Sequence, residues 1–132
     1  MLELTFNNTI EEKEFSSAFF EHVTKTALAV FGLSEAGVGL SINLVGEKRM
    51  RFLNKKYRKK NKVTDVLSFP LFEKSALERY LKKGGGVKKN KNDIMELGDI
   101  FICLPVIRRQ AVEKKKEPKA AVSLLTVHGL LH

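Results

Sequence analysis

Two histidines near the end of the chain are the residues whose type and spacing most plainly suggest chemistry. His128 and His132 stand four apart in TVHGLLH. On a helix, that separation puts both on one face with Cβ atoms about 5–6 Å apart. Both imidazoles can then reach one cation at about 2.0–2.1 Å. Two imidazoles are an incomplete set, because a stable zinc centre takes at least a third ligand. The spacing alone leaves two readings open, a metal pair or two helical histidines facing solvent or core. Gly129 narrows the first. A metallopeptidase of the H-E-x-x-H kind carries its general base, a glutamate, directly after the first histidine, and glycine stands there in this chain. Glycine admits a close approach by backbone or substrate, or serves packing.

The second concentration of chemistry is cationic. Lys48, Arg49, Arg51, Lys55, Lys56, Arg58, Lys59, Lys60 and Lys62 fall within fifteen residues. Charge is also segregated along the chain. Residues 1–35 carry six acids against two lysines, whereas residues 36–132 carry 22 basic residues against nine acidic ones. A positive working surface beside a neutral or acidic one points to a polyanion. A lysine-rich solvated surface is the plainer alternative. Tyr57, within the basic run, either stacks on a base or anchors in the core, and its helical phase favours the core.

These residues need elements to hold them. Leu2, Leu4 and Phe6 alternate with polar residues and predict a strand. A helix is expected over about 11–31, with Phe15, Phe19, Val23, Ala27 and Val30 on its apolar face and Gly32 as its stop. Residues 38–45 predict a strand with Leu40, Ile42 and Leu44 on one side. Residues 47–58 predict a basic amphipathic helix with Met50, Leu53 and Tyr57 inward. Thr64 and Asp65 suit a turn into a short strand over 65–70, which Pro70 closes. A small helix over 73–83 and a Gly- and Lys-rich loop come next, then a strand over 98–104. Pro105 opens a helix reaching to about Glu117, and Pro118 opens the last one, over 119–132. The order predicts an α/β or α+β domain with one sheet of about four strands.

At 132 residues the expectation is one domain. A lone cysteine, Cys103, precludes an internal disulfide, fits a reducing compartment, and in its apolar strand should be a buried small hydrophobe. No stretch reaches the roughly 18 apolar residues of a membrane span. The opening MLELTF lacks a signal peptide's basic leader. A cytoplasmic location with no membrane partner is therefore expected. His22 reads as an ordinary surface histidine.

Three ordered stretches carry a resemblance. LNKKYRKKNKVTDVLSFP at 53–70 resembles the L-N-x-x-Y-R…T-D-V-L-S-F-P block of the YbeY family. LGDIFIC at 97–103 resembles the L-G-D-I-x-I of that family, and HGLLH at 128–132 resembles the opening of its H-G-x-L-H-L-x-G-Y-D-H motif. The resemblance spans about residues 40–132. It implies an α+β, zinc-hydrolase-like fold with a single mixed sheet of about four strands packed with helices, one zinc ion per chain, and cleavage of single-stranded RNA during rRNA maturation and ribosome quality control, with the small ribosomal subunit as partner. His128 and His132 would be ligands. The third histidine of the motif would fall beyond position 132, so the chain is expected to be incomplete at its C-terminus. The segment at about 73–96 reads as a basic loop insertion.

With that resemblance, Arg58 becomes the expected electrostatic clamp on phosphate, since a planar guanidinium donates two parallel hydrogen bonds. Lys55, Lys56, Lys59, Lys60 and Lys62 would hold the RNA backbone. Asp99 would either orient a histidine or fix a turn, the turn being favoured, and Ser68 is a candidate for a supporting contact at the phosphate. Two rivals remain: a non-catalytic rRNA- or ribosome-binding module without a complete metal site, and a peptidase, against which the absent glutamate counts.

Overall fold

The computed structural model describes residues 2–30, 37–71 and 95–131. The expected small helix at 73–83, the glycine-rich loop, the stop at Gly32 and His132 lie outside the described residues. Four strands, β1 (Leu2–Asn8), β2 (Val38–Leu44), β3 (Val66–Pro70) and β4 (Met95–Ile102), form one mixed sheet in the order β1-β2-β4-β3. β1, β2 and β4 are parallel, and β3 runs antiparallel to β4 at the edge. Four helices accompany them: α1 (Ser17–Val30), α2 (Glu47–Arg58), α3 (Leu104–Glu113) and α4 (Pro118–Leu131). The expected α+β architecture is thus present. None of the described helices is long and apolar enough to cross a membrane.

The strand assignments agree with burial. β1 alternates, as an edge strand with one covered face does, whereas β2 is buried along nearly its whole length. The core divides between the two faces of the sheet. On one face Leu40, Ile42, Ile100 and Ile102 meet Phe20 and Leu28 of α1 and Val122 of α4. On the other, Leu67, Phe69 and Phe101 pack with Met50 and Leu53 of α2 and Val106 of α3. The period-two alternation of β3 sends Val66 and Ser68 towards α4, and Leu67 and Phe69 towards α2. Cys103 is buried in the second cluster, and burial raises its thiol pKa.

Some boundaries differ from the sequence expectation. Helix α1 begins at Ser17 rather than near residue 11, because polar side chains ahead of it satisfy the backbone differently. Asn8 Oδ1 accepts the Glu12 N–H at 3.0 Å, and the Glu12 carboxylate accepts the N–H groups of Glu14 (2.9 Å) and Phe15 (3.1 Å). Glu11 takes a positive φ of 55°. Phe15 is buried without being helical, and Val30, expected inward, is 74% exposed. The last strand starts at Met95 instead of 98. Its register against β2 shifts between Gly39 and Ser41, where β4 carries one extra residue. Gly98 takes up that bulge at φ 134°, where a Cβ would collide with the Phe69 carbonyl. Helix α3 ends at Glu113, four residues early, and Lys115 at φ 52° helps turn the chain into α4.

Candidate nucleic-acid interface

Helix α2 carries basic residues along its length, Lys48, Arg49 and Arg51 in its first half and Lys55, Lys56 and Arg58 in its last turn. Glu47 opens the helix beside Lys48 and Arg49, and the cations Lys55, Lys56 and Arg58 suit the helix dipole in the last turn. Lys59 stops it in a left-handed cap at φ 57°, its N–H bonded back to the Lys55 carbonyl at 3.1 Å. The buried Asn54 then fastens the turn beyond the cap, donating from Nδ2 to the Lys62 carbonyl at 2.9 Å. Arg51 Nε donates to Asn61 Oδ1 at 2.9 Å. The chain from Lys59 to Lys62 is therefore tied against the helix, and Lys55, Lys56, Lys59, Lys60 and Lys62 are all exposed.

Arg58, the last residue of α2, reaches the edge of β3 that faces away from β4. The flanking bonds Cys103 N–H to Asp65 O (2.8 Å) and Leu71 N–H to Leu97 O (3.0 Å) set the ladder phase. In that phase Val66, Ser68 and Pro70 turn their backbone polar groups away from β4. Each outward position is handled differently. The Val66 N–H donates to Asp65 Oδ1 at 2.7 Å, Arg58 Nη2 donates to the Ser68 carbonyl at 2.7 Å, and Pro70 has no N–H to expose. The Arg58 guanidinium also lies over the Phe69 ring, 5.5 Å from its centroid.

From the other face α4 approaches the same edge. The Ser68 hydroxyl donates to the Gly129 carbonyl at 2.8 Å, satisfying one of the last-turn carbonyls that the helix leaves open. A Cβ at Gly129 would stand 3.2 Å from both Val66 Cγ1 and Ile100 Cγ2. Its absence lets the helix settle on the sheet, so the packing role accounts for this glycine. One residue earlier, His128 is exposed. Arg58, Val66, Leu67, Ser68, His128 and Gly129 together line an open cleft. Two residues far apart in sequence, Arg58 and His128, thus line one space.

The remaining candidates fall as follows. Ser68 lies at the cleft with its hydroxyl proton committed to Gly129. Asp99, expected at a turn, lies inside β4 opposite Ser41 and Phe69, because the strand begins earlier and Gly98 forms a bulge rather than a chain reversal. It lines a smaller adjoining cavity with Ser68, Gly129 and Leu130. Tyr57, expected in the core, is 54% exposed. Its ring meets Phe69 edge-on, with centroids 5.2 Å apart. His22 is exposed on α1. Phe69 and Phe52 escaped the sequence reading. For Phe52 the available signal is a ring within a basic run, out of phase with the buried Met50 and Leu53, whereas Phe69 lies beyond that run and carries no such signal.

A zinc site needs a donor set, and the described residues do not supply one. Among them no three His, Cys, Asp or Glu side chains gather to hold a metal ion. His128 is one potential donor among the described residues.

Comparison with known proteins agrees with the three motifs. A family described as "Endoribonuclease YbeY" matches residues 4–132. A protein of that name from Xylella fastidiosa is 44% identical over 93 residues, covering 70% of this chain and 51% of the relative. Another, from a Sulfurihydrogenibium species, is 33% identical over 129 residues, covering 98% of this chain and 74% of the relative. The chain thus spans between about half and three-quarters of the length of these relatives. A Thermotoga maritima protein solved in solution shares the fold with a TM-score of 0.59 at 21% identity, covering all of this chain and 71% of that one. The chain belongs to the YbeY family.

Proposed function

We propose that this chain binds single-stranded RNA, ribosomal RNA in particular, with a backbone phosphate held in the cleft at the β3 edge. The observation that supports it is the meeting of Arg58 and His128 at one cleft beside the exposed lysines of α2. A guanidinium already spending one N–H on the Ser68 carbonyl keeps further donors for a phosphate oxygen. The outward Ser68 N–H adds a neutral donor on the same edge. The lysines contribute sequence-independent attraction through counterion release. The RNA, the small ribosomal subunit and a cytoplasmic site of action are the partners and place that family membership suggests.

Binding of a fluorescent single-stranded RNA, followed by anisotropy across salt concentrations, tests this reading. Arg58→Ala should weaken binding about tenfold and lower the slope of log K against log salt by about 0.7, the loss of one phosphate contact. Lys25→Ala, on the acidic half of the chain, should change little. Equal affinity of the Arg58 variant and the parent would remove the cleft from the account.

A second reading is metal-dependent endoribonuclease activity, zinc being the metal that the HGLLH motif suggests. His128 at the phosphate cleft favours it. Metal analysis of the purified chain together with RNA cleavage assayed with zinc and with chelator decides it. Chelator-sensitive cleavage that His128→Ala abolishes supports the enzyme. RNA binding with neither stoichiometric metal nor cleavage supports the module.

A further inference from the structure

The exposed face of α2 carries two half-exposed aromatic rings among cations, and the phosphate cleft accounts for neither. Phe52 is 51% exposed. The Arg49 guanidinium lies 5.3 Å and the Lys56 ammonium 5.8 Å from its centroid. That same ammonium is 5.3 Å from the centroid of Tyr57, so one lysine stands between the two rings. Tyr57 leans on Phe69, and Phe69 lies beneath Arg58. The contacts run without a break from Phe52 to the guanidinium at the cleft. Folding does not require Phe52 at the surface, since Met50 and Leu53 already fill the buried side of the helix.

We propose that Phe52 and Tyr57 form a base-stacking step for the RNA whose phosphate occupies the Arg58 cleft, a proposal that rests on the RNA-binding reading above. An aromatic face accepts any unpaired base, whereas a duplex buries its base faces and offers none. Arg49 and Lys56 reach the rings from flexible, exposed positions. When RNA arrives, each cation can pass from ring to phosphate while a base takes the vacated face. Rings and cations alternating on one helix match a polymer in which bases and phosphates alternate. The neighbours of Phe52 on this face are basic, which suits a polyanion, and the vesicle arm of the test below separates an anionic lipid surface from RNA.

The chain contains no tryptophan, so Phe52→Trp places a single reporter at the step. Oligoadenylate, a length-matched abasic ribose-phosphate strand, duplex RNA and anionic phospholipid vesicles are titrated at one ionic strength. Quenching by oligoadenylate, with binding but no quenching by the abasic strand and none by duplex, is the expected result. In the otherwise unaltered chain, Phe52→Ala and Phe52→Leu should each weaken oligoadenylate binding about tenfold and abasic binding less than about twofold. Tyr57→Phe should retain affinity and Tyr57→Leu lose it. Equal effects on both strands, or a reporter that responds to vesicles and not to oligoadenylate, overturn the stacking step. A parent chain that binds neither strand overturns the RNA-binding reading and this proposal with it. Binding of both strands that is indifferent to residue 52 overturns the stacking step alone.

Discussion

Gly129 illustrates how one missing methyl group positions a candidate site. The TVHGLLH string raises the question of a glycine after His128, and the sheet beneath it supplies the answer. A Cβ would crowd Val66 and Ile100, both packed in the core, at 3.2 Å. Alanine would gain about 1 kcal/mol in helix propensity, yet pushing α4 off the sheet should cost about 1–3 kcal/mol. Gly129→Ala should therefore lower stability by up to about 2 kcal/mol, measured by urea denaturation. It should also disturb the Ser68 hydroxyl bond to the Gly129 carbonyl. A variant more stable than the parent would mean that the helix is free to shift. Tyr57 carries the opposite lesson. Its phase on α2 matches Met50 and Leu53, but in the last turn its ring meets Phe69 edge-on and stays 54% exposed. Helical phase specifies direction and not how far the neighbouring sheet extends.

At the scale of elements, α2 was legible to the residue from the apolar spacing of Met50 and Leu53 within a charged run. α1 was not, because its first expected turn is replaced by a carboxylate-centred loop. The Glu12 side chain is only 6% exposed, and Arg108 of α3 grips it with two bonds, at 2.9 and 2.8 Å. A partner 96 residues away leaves no trace in local periodicity. The Arg108 hydrogen bonds hold the Glu12 carboxyl below its ordinary value, and Glu12 raises Arg108 in turn. A depressed carboxylate contributes stability that is fully present above the unfolded pKa, about 4.3 for glutamate. That contribution is lost as pH falls through the lower folded value. Denaturant titrations from neutral pH downward should show Arg108→Ala less stable than the parent by about 2 kcal/mol at pH 7, with the gap closing below the ordinary carboxylate range. A gap that persists unchanged in acid would assign the loss to packing of Arg108 over Phe15 instead.

For the whole molecule, charge and topology cooperate. Of the acids before residue 36, Glu3, Glu11, Glu12, Glu14 and Glu21 fall on β1, α1 and the loop between them, while α2 and the turn after it form the basic end beside β3. Placing β3 at the sheet edge lets α2 arrive from one face and α4 from the other, so Arg58 and His128 meet there. The sequence motifs named both residues, but their shared cleft depends on strand order, which local patterns do not encode. Titrating a single-stranded RNA into isotopically labelled chain and following the Arg58 Nε–H and His128 ring resonances by NMR tests that meeting most directly. Both should shift together and saturate with the same affinity. Shifts confined to resonances outside the β3 edge, with these two unmoved at saturating RNA, would contradict the account.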